Sequence, residues 1–324
     1  ENGAKRVIQD STGQTVEDVD SIRPVRPGRD LALSLDLRIQ YLAYRELKSA
    51  VQANRASAGS LVMIDVDTGE VLAMVNQPAY NPNDRDQLSP AAYRNRAVTD
   101  LFEPGSSIKP FVVAAALASG RFNAHSVIDT NPGFIQVGIK TFQDEHNLGV
   151  ANLATILAKS SNVGMAKLAL QLPPREIWST LSRFGFGRLT DSALPGESAG
   201  VFTNYAHWRP ITIATLSHGY GISVTALQLA QAYATIGAFG VRRPVSMLRV
   251  DTPPVGERIL PATLCRQLVQ LLEAVTIQEG ATGVRARIPG YRVAGKTGTA
   301  QRLVNGSYST QQHTSIFAGL APAS

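Results

Sequence analysis

The sequence predicts an α+β fold, an antiparallel β-sheet flanked by helices. Three observations carry that expectation. Apolar, strand-like runs come first, at 61–66 and 71–75, on either side of Asp67-Thr68-Gly69. A run that is apolar all round, Val112-Val113-Ala114-Ala115-Ala116-Leu117-Ala118, lies further on and reads as a central buried helix. Strand patterns return at 296–304 and 313–320, flanking Asn305-Gly306, a strong turn dipeptide. Strands, then helices, then strands suggest one antiparallel sheet with helices packed around it.

The elements follow in order. Residues 1–29 are polar and punctuated by Gly and Pro, and read as short strands and a linker, the remnant of an upstream module. The chain opens at Glu1-Asn2-Gly3 and reads as a piece of a longer protein, with its globular domain expected over 30–324. Asp36 is placed to cap a helix running to about Asn54, with Leu37, Tyr41, Leu42 and Val51 roughly on one face. The 61–75 hairpin is apolar enough to lie under helices. A helix starts near Ser106 and stops before Gly120. Two helical pieces span Asn152 to Leu170, broken by Lys159-Ser160-Ser161-Asn162, and further helices cover Thr225 to Ile236 and Ala262 to Val275.

Composition narrows the function. With 324 residues, 44% hydrophobic and 17% charged, the chain can bury a sizeable core. The net charge of +6 is scattered, apart from a small cluster at Arg23, Arg26 and Arg29. There is no long Lys/Arg run and no aromatic–basic interleaving, so nucleic acid is not an expected partner. The single cysteine, Cys265, lies in an apolar helical run and is expected to be buried. The histidines, His125, His146, His207, His218 and His313, lack ligand spacing, so metal catalysis is not expected. No stretch approaches the apolar length of a membrane span.

The chemistry starts from Glu103-Pro104-Gly105-Ser106-Ser107-Ile108-Lys109. With Ser106 at the start of the buried helix, Lys109 lies one turn along the same face, its amine within reach of the Ser106 hydroxyl. Burial against an apolar helix disfavours the charged amine and makes it a usable base. Ser107 has Pro110 at the equivalent position and no such partner. Ser106 and Lys109 therefore fit a nucleophile and its base. Alone the pair says little, since a Ser-x-x-Lys arises by chance roughly once in a chain of this size. Taken by itself it is better explained by a capping serine and a lysine reaching along the surface. Two later stretches add weight. Ser160 and Asn162 in the helix break can present a hydroxyl and an amide to a cleft. Lys296-Thr297-Gly298-Thr299 forms a cationic, hydroxyl-rich strand able to pair with an extended substrate that carries a carboxylate.

In that order, Ser-x-x-Lys, Ser-x-Asn and Lys-Thr-Gly resemble the penicillin-recognising serine enzymes. Longer stretches are similar to class B penicillin-binding proteins, nearest the division-type peptidoglycan transpeptidases of Gram-negative bacteria. These are Leu31 to Gln40, Ala58 to Val62, Thr68 to Met74, Glu103 to Ser106, Leu194 to Glu197 and Gly219 to Thr225. The resemblance implies a transpeptidase fold with an all-α subdomain. It implies peptidoglycan stem peptides as substrate, a D-Ala-D-Ala donor and an amine acceptor, with β-lactams as covalent inhibitors. It further implies a periplasmic domain of a protein anchored in the inner membrane, working with a membrane-embedded glycosyltransferase and other division proteins.

By the same resemblance Ser106 is the nucleophile, Lys109 its base, Ser160 a proton relay supported by Lys296, and Asn162 a ligand of the substrate amide. Thr297, Gly298 and Thr299 line the carboxylate subsite, and the N–H groups of Ser106 and Thr299 form the oxyanion hole. Tyr220 either lines the cleft or packs in the core. A carboxypeptidase, a β-lactamase or a β-lactam sensor without turnover uses the same residues. Ser160-Ser161-Asn162 in place of Ser-Asp-Asn, and the setting of Glu197, argue against the β-lactamase. Gly290 to Thr297 also matches a phosphate-binding loop, but the residues after it are strand-like rather than helical. Related chains continue past this point with a further strand and helix, so the sheet ending at Ala321-Pro322-Ala323-Ser324 is expected to lack an outer strand.

Overall fold

The structure, a computed structural model, describes residues 2–84, 90–304 and 306–323. These fall into two units that divide between Leu33 and Ser34. The first is an exposed antiparallel hairpin of strands Ala4–Gln9 and Thr15–Arg23. Asp10 sets its turn by accepting from Thr12 N at 2.8 Å and Gln14 N at 3.0 Å.

In the second unit, Asp36 caps the helix Leu37–Ala53 as predicted, accepting from Arg38 N at 2.9 Å and Ile39 N at 3.3 Å. Its buried face differs from the predicted one. Leu37, Tyr41 and Leu42 are exposed. Ile39, Ala43 and Leu47, spaced four apart, pack instead on Leu61, Ala73 and Val75. The hairpin of Gly59–Ile64 and Val71–Gln77 decides this, because its second strand alternates strictly and presents Ala73 and Val75 to the helix. Sequence periodicity alone does not say which stripe a partner will cover.

The helix Lys109–Ala118 lies at the centre, preceded by a tight 3₁₀ turn, Gly105–Ile108. Every residue from Lys109 to Leu117 is buried. Phe111 anchors it with edge-on contacts to Phe184, Phe186 and Tyr233 at 4.8, 5.0 and 5.3 Å. Around it stand the helices Leu153–Ala158, Asn162–Leu170, Ala226–Gly237 and Ala262–Ile277, close to their predicted limits. Thr225 and Gln228 form a reciprocal cap on the third of these. The helical part also carries two short strand pairs, Val127–Asp129 with Val150–Asn152 and Phe134–Val137 with Lys140–Gln143. Cys265 is buried, as expected, and burial pushes its thiol up to about 11.

The chain closes with a long hairpin of Ala294–Val304 and Ser307–Leu320. Of its predicted turn pair, Asn305 lies outside the described residues. The expectation of one continuous sheet is not met among the described residues, where strands pair only two by two. The two long hairpins both pack on the helix Ala226–Gly237 and do not bond to each other. Gly237 is the spacer: a Cβ there would come within 2.9 Å of Leu320 Cδ2 and 3.0 Å of Val66 Cγ1. Side-chain burial against that helix, not edge-to-edge hydrogen bonding, is what gathers them.

Candidate active site

Two glycines bring the serine turn against the Lys-Thr-Gly strand. A Cβ on Gly105, whose φ is +52°, would lie 2.8 Å from Thr299 O. One on Gly298 would lie 2.8 Å from Pro104 O and 3.1 Å from Ser107 N. Only backbone-to-backbone contact fits there, so the peptide groups of Ser106 and of the strand stand side by side.

The turn separates its two serines. Ser107 is buried, its hydroxyl donating to Pro104 O at 2.7 Å and its carbonyl accepting from Tyr233 OH at 2.9 Å. Ser106 is half-buried and its hydroxyl makes no hydrogen bond among the described residues.

Lys109 is fully buried, and its amine makes no hydrogen bond to Ser106. It donates to Ser160 O at 2.6 Å, Asn162 Oδ1 at 2.9 Å and Ser160 Oγ at 3.2 Å. A buried amine needs acceptors for its hydrogens, and these three meet that need. Lys296, equally buried, donates to Ser160 Oγ at 3.0 Å and Thr297 O at 3.0 Å. Ser160 Oγ thus sits between two lysines. Its backbone takes φ +58°, a left-handed conformation that is costly for serine and recurs at functional sites.

Both amines are made less basic by this arrangement. Burial, then the nearby charge of Lys296, holds Lys109 well below the usual lysine range, with Asp144 partly opposing. Burial lowers Lys296 to about 7. Each amine thus gives up its proton more readily than an ordinary lysine. Such shifts cluster at sites of proton transfer.

Two further side chains belong to the site and carry no motif in the sequence. Asp144 accepts from the backbone N of Asn162 and Val163 and from the Ser161 hydroxyl. It thereby ties down the start of the helix Asn162–Leu170, where a negative charge is favoured. Thr282 accepts from Thr297 Oγ1 at 2.7 Å, and its own N–H donates to Ala158 O at 3.0 Å. Ser161, a helix cap with a donor left over, signals that an acceptor is required. Which acid supplies it is a tertiary fact.

Tyr220 sits on the seam between the two readings given to it. It is half-buried, its hydroxyl accepts from Gln301 N at 3.1 Å, and its ring packs on His218 and Tyr308. Thr297 is half-buried and Thr299 exposed. Glu197 is engaged with Thr190 and Ser192 and is structural. The loop matching a phosphate-binding pattern runs straight into the strand Ala294–Val304, with no helix to hold a phosphate. Among the described residues no cluster of His, Cys, Asp or Glu could hold a metal ion.

The same fold recurs in known proteins. The apo transpeptidase domain of Burkholderia pseudomallei penicillin-binding protein 3 superposes with a TM-score of 0.83 at 37% identity, over 92% of this chain and 86% of that one. The family described as the penicillin-binding protein transpeptidase domain matches residues 59–324, and the chain belongs to it. The peptidoglycan D,D-transpeptidase FtsI of Escherichia coli K12 is 44% identical over 322 residues, 99% of this chain and 54% of that protein. The probable peptidoglycan D,D-transpeptidase PenA of Neisseria flavescens is 42% identical over the whole chain and 80% of that protein. The chain spans about half the length of FtsI.

Proposed function

We propose that the chain is the catalytic domain of a serine D,D-transpeptidase that cross-links peptidoglycan stem peptides, during septal wall synthesis. The observation that carries this reading is the convergence of two buried lysines on Ser160 Oγ, one of them, Lys109, only three residues along the chain from the unengaged hydroxyl of Ser106.

The donor stem lies along the strand Ala294–Val304, whose second edge takes no strand among the described residues. Thr297 and Thr299 bind the terminal carboxylate, Lys296 adds charge, and Gly298 lets the backbones approach. Ser106 Oγ attacks the penultimate D-Ala carbonyl carbon while its proton passes to neutral Lys109. The N–H groups of Ser106 and Thr299 receive the developing oxyanion. Ser160 relays a proton to the departing D-Ala amine and is resupplied by the lysines. Asn162 holds Lys109 and binds the substrate amide. An amine of a second stem peptide then attacks the ester, forming the cross-link and returning a proton to Ser106. β-Lactams occupy the donor position and leave a slow ester on Ser106.

This chemistry acts on the wall, outside the cytoplasm. We therefore place the domain in the periplasm, in a protein anchored to the inner membrane beside a glycosyltransferase and other division proteins. No described helix is long and apolar enough to cross a membrane. The test is a transfer assay with a donor peptide ending in D-Ala-D-Ala and an amine acceptor. One D-Ala released per amide formed, with neither product from Ser106→Ala, is the expected result. Hydrolysis alone at saturating acceptor means a carboxypeptidase, and an ester that never turns over means a sensor.

A further inference from the structure

Where the helix Pro174–Arg183 ends, the chain turns through Arg183-Phe184-Gly185-Phe186-Gly187-Arg188, a stretch that no step of the acyl transfer uses. Phe184 and Phe186 are buried and fix the turn against Phe111. Gly185 and Gly187, with φ of +101° and +80°, supply its left-handed bends. Arg183 and Arg188 are left exposed on either side. Neither guanidinium has a hydrogen bond or an ion pair among the described residues.

A third arginine closes over this turn. Arg242 lies on the short strand Val241–Arg242, directly across from Glu257 on its partner strand. Its Nη1 lies 3.9 Å from where a Cβ on Gly185 would stand. The side chain is only 18% exposed. Nη2 donates to Glu257 Oε2 at 2.9 Å, while Nε is buried with no acceptor and Nη1 has none among the described residues. A largely buried guanidinium that uses so few of its donors is under-satisfied. Glu257 itself is mostly exposed, and the Arg242 hydrogen bond, followed by the charges of Arg242, Arg183 and Arg188, holds its carboxyl below the usual range. Three guanidiniums therefore gather at one carboxylate, and a net positive charge is left over.

We propose that Arg183, Arg188 and Arg242 form a binding site for a phosphate group, separate from the acyl-transfer machinery. A phosphate carries up to about two negative charges at neutral pH and three strong acceptor oxygens, which match forked donors arriving from three sides. A lone carboxylate would leave a charge over. Arginine suits this task better than lysine, because its planar fork is preorganised. The group can be free orthophosphate or the headgroup of an anionic phospholipid. The inference stands whether or not the transpeptidase reading does.

The experiment titrates the chain with inorganic phosphate in a calorimeter, at an ionic strength held constant with sodium chloride. Wild type should bind saturably. Arg183→Gln and Arg188→Gln should each weaken binding about tenfold, as expected for one lost charge contact. Glu257→Gln should tighten it several-fold, since it removes the carboxylate that competes for Arg242. Thermal melts without phosphate check that each variant folds. A second arm co-sediments the chain with phosphatidylglycerol vesicles, against vesicles of phosphatidylcholine alone. Saturable phosphate binding without vesicle capture names a soluble ligand. Capture by the anionic vesicles, lost in the two arginine variants, names a headgroup. Neither phosphate binding nor vesicle capture by folded wild type overturns the site, and so does binding that both arginine variants leave unchanged within about twofold.

Discussion

Ser106-Ser107 and Ser160-Ser161 are two serine pairs at two helix starts, and each divides its labour in the same way. The second serine of each pair is buried and spent on structure. Ser107 bonds Pro104 O, while Ser161 caps its helix at Gly164 N and donates to Asp144. The first serine of each pair is half-buried, and a left-handed backbone, at Gly105 or at Ser160 itself, turns it outward. The pairs differ in what surrounds the presented hydroxyl. Ser160 Oγ is held by two lysines, and Ser106 Oγ by nothing among the described residues. A held hydroxyl suits proton relay, and an unheld one suits attack.

The largest expected effect separates the presented serines from the buried ones. Ser106→Ala should remove acylation by a β-lactam altogether, a loss on the order of 10³ or more. Ser160→Ala should slow it by about 10²–10⁴ while leaving the adduct on Ser106. Rapid-mixing acylation kinetics read both.

Next comes pH. Lys109 and Lys296 are lowered bases, so falling pH protonates them and removes the lone pair. Acylation should fall as pH drops through about 7, the region set by Lys296. The apparent value belongs to the pair, not to one residue. Lys296→Ala should lower the rate and shift this limb, since Lys109 then loses a repelling charge and becomes more basic. A profile flat from pH 5 to about 9 would break the argument that these amines act as bases.

Asp144→Asn tests the scaffold beneath the second pair. It weakens an acceptor of two backbone N–H groups and the Ser161 hydroxyl. A stability loss of about 1–3 kcal/mol and slower acylation at unchanged Ser106 labelling are expected from thermal melts and kinetics. The smallest effect is Ser107→Ala, which should cost about 1 kcal/mol and leave acylation within a few-fold.

Much of this was legible in the sequence, for physical reasons. Ser106 and Lys109 share a helix face by spacing alone. Asp36, Thr225 and the all-apolar run 112–118 announce their elements by local chemistry. What was hidden depends on partners distant in the chain. Nothing near Leu37 says that the stripe through Ala43 will be the buried one. The aim of Lys109 at Ser160, 51 residues away, is set by where unpaired acceptors lie in the fold. Asp144 and Thr282 were missed because neither stands in a motif, and each matters only through what it holds.

The central claim, that Ser106 is the presented nucleophile and Ser107 its structural neighbour, has a direct test. The chain is labelled with a fluorescent penicillin, digested and mapped by mass spectrometry, alongside Ser106→Ala and Ser107→Ala. The account predicts one adduct on Ser106, absent in the first variant and kept in the second. An adduct that survives Ser106→Ala, or one lost only in Ser107→Ala, would contradict it.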